Sequence, residues 1–170
     1  GTVTLWGNND YTGGTTISGG TLILGSTGAL PAGRNVTITN GTLDLFGGSV
    51  TIGDLTFGSG TSATRLVTST GGPASITLNG NITDTNTAAT NTVNLPISIA
   101  WTSTFRAEAG GTLALGALAV VTIGAGHTVT LGGQGAVTLA GGSDLVGGTL
   151  VINKEMNALQ TLPALPNITN

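Results

Sequence analysis

Seven carboxylates, four cations, one histidine and one tyrosine are the titratable side chains in this 170-residue chain. The acids are Asp10, Asp44, Asp54, Asp84, Glu108, Asp144 and Glu155. Glycoside hydrolysis needs two carboxyl groups several ångströms apart across a cleft. Asp44 and Asp54 could share one side of a repeat, as could Arg65 and Glu108, but no cluster of acids converges in the sequence. Each acid is therefore read as an outward strand or turn residue, and no catalytic residue is expected.

His127, in the string GAGHTVTL, is the single histidine and has no carboxylate beside it, so no metal centre is expected. GGSDLVGG, Gly141 to Gly148, has the composition of one calcium-binding nonapeptide. Oxygen coordination there requires stacked Asp-bearing copies, and this string occurs once, so it reads as a turn. No residue pattern points to a cofactor. Trp6, Tyr11, Phe46, Phe57, Trp101 and Phe105 could form a sugar platform only as an exposed row; core filling or capping of an open end is the expected role. Strings such as Thr2-Val-Thr4, Thr37-Ile-Thr39 and Thr128-Val-Thr130 suit an ice-binding array. That array needs the motif on one face of successive repeats, and the irregular spacing ranks it below a structural reading.

The elements that would position these residues are short strands. Only 6% of residues are charged, against about 25% in ordinary domains, and mean hydropathy is +0.36. Such a surface has little electrostatic protection against self-association. The net charge of −3 with scattered Arg34, Arg65, Arg106 and Lys154 excludes a phosphate-binding patch, so nucleic acid is not an expected partner. There is no Cys, hence no disulfide. No apolar run reaches the roughly 18 residues of a membrane-spanning helix. Because the chain starts at Gly1 and its only Met is Met156, the N-terminus is expected to arise by processing, which fits export.

GGTLIL (Gly19–Leu24), NGTLDL (Asn40–Leu45), GGTLAL (Gly110–Leu115) and GGTLVI (Gly147–Ile152) each place a turn before a short alternating strand. A recurring unit of this kind predicts a solenoid. The alternation in VTIT predicts Val36 and Ile38 inside with Thr37 and Thr39 outside; Val129 and Leu131 repeat it against Thr128 and Thr130. No stretch has a capped helical period. The expected fold is all-β, a right-handed parallel β-helix of about seven coils over residues 1–152, roughly 30–35 Å tall. The polar stretch from Thr83 to Thr92 reads as an excursion or wide corner. Residues 153–170 form the second unit, an extended Pro-containing tail that packs on its own or a neighbouring subunit. Its Leu159, Leu162, Leu165 and Ile168 recur every third position.

The run WGNNDYTGGTTISGGTLIL, Trp6 to Leu24, resembles the autotransporter-associated β-strand repeat, whose pattern is close to GNNxYTGGTTIxGGTLxLG. ALPAG from Ala29 and the following VTITNGTLDL are similar to it as well. The resemblance covers Gly1 to about Gly60 and continues as isolated GGTLxL strings. It implies a β-helical passenger or stalk of a secreted bacterial surface protein.

A column that opens directly in a strand, and is almost uncharged, predicts polymerisation. The expected function is an extracellular structural subunit, without catalysis, that assembles head to tail into a cell-surface filament. Its partner is itself. Contacts are expected from Val3, Leu5 and Trp6 at one end and from Leu159, Leu162, Leu165 and Ile168 in the tail. The alternative is a passenger or adhesin fragment that binds a surface glycan or protein.

Overall fold

The computed structural model describes residues 1–58, 64–139 and 145–154. Every regular element in it is a strand, and the strands pair in parallel throughout the described residues. Parallel pairing of each strand with one two or three places further along forces the chain to circle back between them. The result is a β-solenoid of about six turns.

Three faces make up each coil. The first is a seven-stranded sheet in the order β1 (Thr2–Leu5), β3 (Thr21–Leu24), β5 (Gly41–Asp44), β7 (Arg65–Thr68), β10 (Thr90–Val93), β13 (Thr112–Leu115) and β15 (Ala136–Leu139). Seven strands are separated by six steps, which reconciles the expected seven coils with six turns. The second and third faces belong to one nine-stranded sheet, because β6 (Val50–Phe57), β14 (Val121–Gly133) and β16 (Leu145–Lys154) run on across the corner between them. The first half of β6 pairs with β8 (Ile76–Leu78), and its second half with β9 (Ile82–Asp84). The second face continues through β11 (Ile97–Ile99). The third begins with β2 (Thr15–Ile17) and β4 (Arg34–Ile38), and continues through β12 (Ser103–Ala107).

Alternation decides which side chains fill the interior. Val36 and Ile38 are 1% and 0% exposed, and Val129 and Leu131 are buried likewise, as the pattern predicts. Strand register stacks Val3, Leu22, Leu43, Val67, Val93, Leu115 and Leu139 in one ladder up the first face. On the third face, Val36, Leu55, Ile82, Phe105 and Leu131 form another. These ladders are the core.

Three GGTLxL-type strings lie where the repeat predicts, on the first face as β3, β5 and β13. The fourth does not. Its Thr149 and Leu150 pair with Thr128 and Val129 on the third face. The same string therefore marks a corner followed by a strand, whichever corner that is. The stretch from Thr83 to Thr92 is not an excursion: it holds the end of β9, the corner over 85–89 and the start of β10, with Asp84, Asn86 and Asn91 fully buried. The tail from residue 155 onward lies outside the described residues.

Candidate functional site

β1 and β2 are the outermost strands of their sheets, each with a single described neighbour, β3 and β4 respectively. Alternation aims Val3 and Leu5 inward, in register with Leu22 and Leu24. With no described rung beyond them, Val3 is 63% exposed and Leu5 only partly buried. A hollow of about 340 Å³ opens there, lined by Val3, Leu5, Ile17 and Leu22 with Thr and Gly at its rim. An outer strand also leaves one row of backbone N–H and C=O groups unpaired, a template for another strand. Trp6 sits at the corner after β1, 65% exposed. Its indole crosses Gly25 of the next coil so closely that a Cβ there would come within 2.5 Å of the ring.

Near the other end, β16 has β14 as its one partner among the described strands, and Val146, Val151 and Ile152 are exposed. The structure thus groups Val3 and Leu5 in one apolar rim with Trp6 beside it. Leu159, Leu162, Leu165 and Ile168 lie outside the described residues.

The carboxylates are not paired as the sequence suggests. Asp44 ends β5 on the first face, whereas Asp54 stands in β6 at the corner of the second and third. Asp44 is 4% exposed. Its Oδ1 accepts the N–H groups of Phe46 (2.9 Å) and Thr70 (3.0 Å), and its Oδ2 accepts the Thr70 hydroxyl at 2.5 Å. The bond to Phe46 is the local turn that holds this residue at a φ of 47°. Burial alone would raise the Asp44 pKa, but the three donors outweigh it and hold the carboxyl below its ordinary value. A depressed carboxyl stabilises the fold above the unfolded value near 4 and stops doing so as pH falls through the folded one. Asp44→Ala is expected to cost about 1–3 kcal/mol, because two N–H groups lose their acceptor. Asp44→Asn should flatten the acid limb of a urea-midpoint series run from about pH 6 to about pH 2.

Asp54 belongs to a ladder of corner amides. Asn35 Oδ1 accepts the Asp54 N–H, Asp54 Oδ1 accepts the Asn81 N–H, and Asn81 Oδ1 accepts the Thr104 N–H, all within 2.8–2.9 Å. Each side chain caps the coil above it. Glu108 pairs with Arg106 at 3.0 Å, not with Arg65. Asp10 is exposed, and Asp144 and Glu155 fall outside the described residues. His127 lies half-buried within β14, and no group of three metal-ligating side chains occurs among the described residues.

Two charged residues overturn the outward reading. Arg65 and Asp84 are 1% and 0% exposed. Both occupy inward ladder positions: Arg65 stacks over Gly41 and Asp84 over Phe57. The Arg65 Nε donates to the Thr39 carbonyl at 2.7 Å, and its backbone N–H and Nη1 donate to Asn91 Oδ1 at 3.0 and 3.3 Å. Asn91 Nδ2 then donates to Asp84 Oδ1 at 2.9 Å, which also takes the Asn86 N–H. Asp84 Oδ2 is buried and accepts no hydrogen bond. Burial pushes the Asp84 carboxyl up; the bonds from Asn91 and Asn86 and the charge of Arg65 offset this only in part. A closed interior without a cleft suits a structural knot, not a reaction with a substrate.

The aromatic rings divide. Phe57 and Phe105 fill the core, and Tyr11 packs at its edge with its hydroxyl 2.7 Å from Thr15 Oγ1. Trp6, Phe46 and Trp101 are exposed corner residues, so they do not fill the core.

The first rung, β1 to β3, carries the family signal. Residues 1–24 match the passenger-associated-transport-repeat. The matched repeat spans one full circuit, from the open rim to the strand that first covers it. Together with the stacked parallel strands, it is consistent with an autotransporter passenger-type repeat protein, a class of secreted or cell-surface proteins. No curated protein and no solved structure matches the chain.

Proposed function

We propose that this chain is a structural subunit of an extracellular filament, which lengthens when the open rim of one copy is covered by the last rung of another. The observation that carries this reading is the first rung. Two outer strands, an inward Val3 left in solvent and a hollow above Leu5 and Ile17 present a free sheet edge beside an apolar rim. A further parallel rung would pair the free edge and bury that rim at once. On this reading Leu159, Leu162, Leu165 and Ile168, which lie outside the described residues, would add a second contact with the neighbouring copy.

The reading without catalysis is supported by the roles of the described carboxylates. Asp44 and Asp54 cap backbone N–H groups, Glu108 pairs with Arg106, and Asp84 is sealed inside. The alternative is a passenger of a longer surface protein, in which a preceding repeat of the same chain covers the rim. Its support is the passenger-associated-transport-repeat at this very rung.

Sedimentation of the 170-residue chain separates the two. Wild type should form species that grow with concentration. Thr4→Pro removes an N–H from the free edge and leaves the bonds that Gly1 and Leu5 make to the next coil, so it should hold the chain as a monomer with an unchanged circular-dichroism spectrum. A wild type that stays monomeric at high concentration would favour the passenger.

A further inference from the structure

Single Thr residues of successive coils, irregularly spaced in sequence, come into register in space, although the strings Thr2-Val-Thr4 and Thr128-Val-Thr130 lie outside this row. On the third face Thr16 pairs with Thr37, Thr37 with Thr56, and Thr56 with Thr83. Corners of different length absorb the differences between repeats, while the strands stay aligned. Two residues further along, Thr39, Gly58 and Thr85 continue the pattern, each donating its N–H to the carbonyl one rung below. A Cβ on Gly58 would meet Thr39 Cγ2 at 2.7 Å, so these positions lie directly above one another.

The face is therefore a partial lattice of methyl and hydroxyl groups, complete over the four Thr of one row and interrupted at Gly58 in the next. Its repeat is about 4.8 Å along the column and about 6.6 Å along each strand. Its geometry is fixed in advance. Parallel register sets the Cβ positions, and β-branched side chains have little χ1 freedom. The Thr85 hydroxyl lies 3.0 Å from the Phe57 carbonyl and the Thr39 hydroxyl 3.4 Å from that of Ile17, which orients both.

The four central positions are uncharged. Asp54 stands in the flanking ladder, tied to Asn35 and Asn81, and Arg106 takes the next rung, paired to Glu108. No aromatic ring occupies an outward position in these rows, so a sugar has nothing to stack on. What suits a rigid, neutral row of hydroxyls and methyls, repeated at the rung spacing, is a partner that is itself a neutral hydroxyl lattice. Individually immobilised waters cost up to about 2 kcal/mol each, a cost already met when the water belongs to a crystal. We infer that the third face, centred on Thr16, Thr37, Thr56 and Thr83, binds ice. This activity needs one column only and does not rest on filament formation.

Freezing-point hysteresis and inhibition of ice recrystallisation by the purified chain test the inference. Wild type should show both. The double variant Thr37→Tyr/Thr56→Tyr keeps strand propensity but breaks the lattice; it should lose both activities while its circular-dichroism spectrum and melting temperature hold. Thr77→Tyr, on the second face, should retain them. Absence of activity in wild type overturns the inference. So does equal loss in Thr77→Tyr, or retention on crystalline cellulose or chitin without any effect on ice.

Discussion

Replacing Arg65 by Leu is expected to destabilise the column by about 3–5 kcal/mol at neutral pH, the usual consequence of removing one member of a buried charged network. Arg65 is 1% exposed, and its guanidinium and N–H reach the Thr39 carbonyl and Asn91 in adjacent coils. Without the guanidinium, Asn91 Oδ1 keeps only the backbone N–H of residue 65, and Asp84 loses the positive charge that partly offsets its burial. The pH dependence follows from the sign of the Asp84 shift. A carboxyl with a raised folded pKa contributes fully below its unfolded value near 4, and that contribution fades as pH rises through the folded value. Removing Arg65 raises that value further, so the Arg65→Leu variant should suffer less at about pH 4 than at about pH 7. Adding Asp84→Asn should recover part of the loss at pH 7 and little at pH 4. Urea unfolding of the two single variants and the double variant at both pH values gives the coupling directly.

The second large effect concerns Gly41. Its φ of 103° lies in the region that side chains rarely adopt, and that conformation alone costs about 1–3 kcal/mol for a residue with a Cβ. The added atom would also collide with the Gly20 carbonyl oxygen of the coil below. Gly20 meets Gly1 in the same way. Gly41→Ala must therefore push two rungs apart where Thr42 N–H bonds to Gly20 O at 2.9 Å. The expected result is loss of cooperative unfolding, with rapid hydrogen exchange in β3 and β5. Gly13, with open space where a Cβ would stand and no left-handed φ, should accept Ala with little change.

The solenoid was legible because a short motif with strict alternation repeats, and three of its four copies occupy equivalent sites. The fourth shows why a repeat does not assign a face. A Gly-Gly corner followed by Thr-Leu fits any corner of a three-sided coil. Arg65 and Asp84 escaped for a different reason. Charged residues are almost never fully buried, yet the phase of the strand carried the signal. Val67 and Ile82 point inward, so residues two positions away, Arg65 and Asp84, must do so too. Leu66, apolar beside Arg65, concealed that phase. The Thr lattice was hidden by corner length, since sequence spacing adds strand and corner together while register depends on strands alone. The exposure of Trp6 and Trp101 also had no local signal, as each stands at a corner whose path the strand pattern does not specify.

Electron cryomicroscopy of the concentrated, full 170-residue chain addresses filament assembly most directly. The account predicts unbranched filaments one column wide, with strands perpendicular to the axis and an axial repeat of about 4.8 Å running unbroken from one copy to the next. Isolated short columns whose first rung stays open at every concentration, or contacts made only side by side, would contradict it.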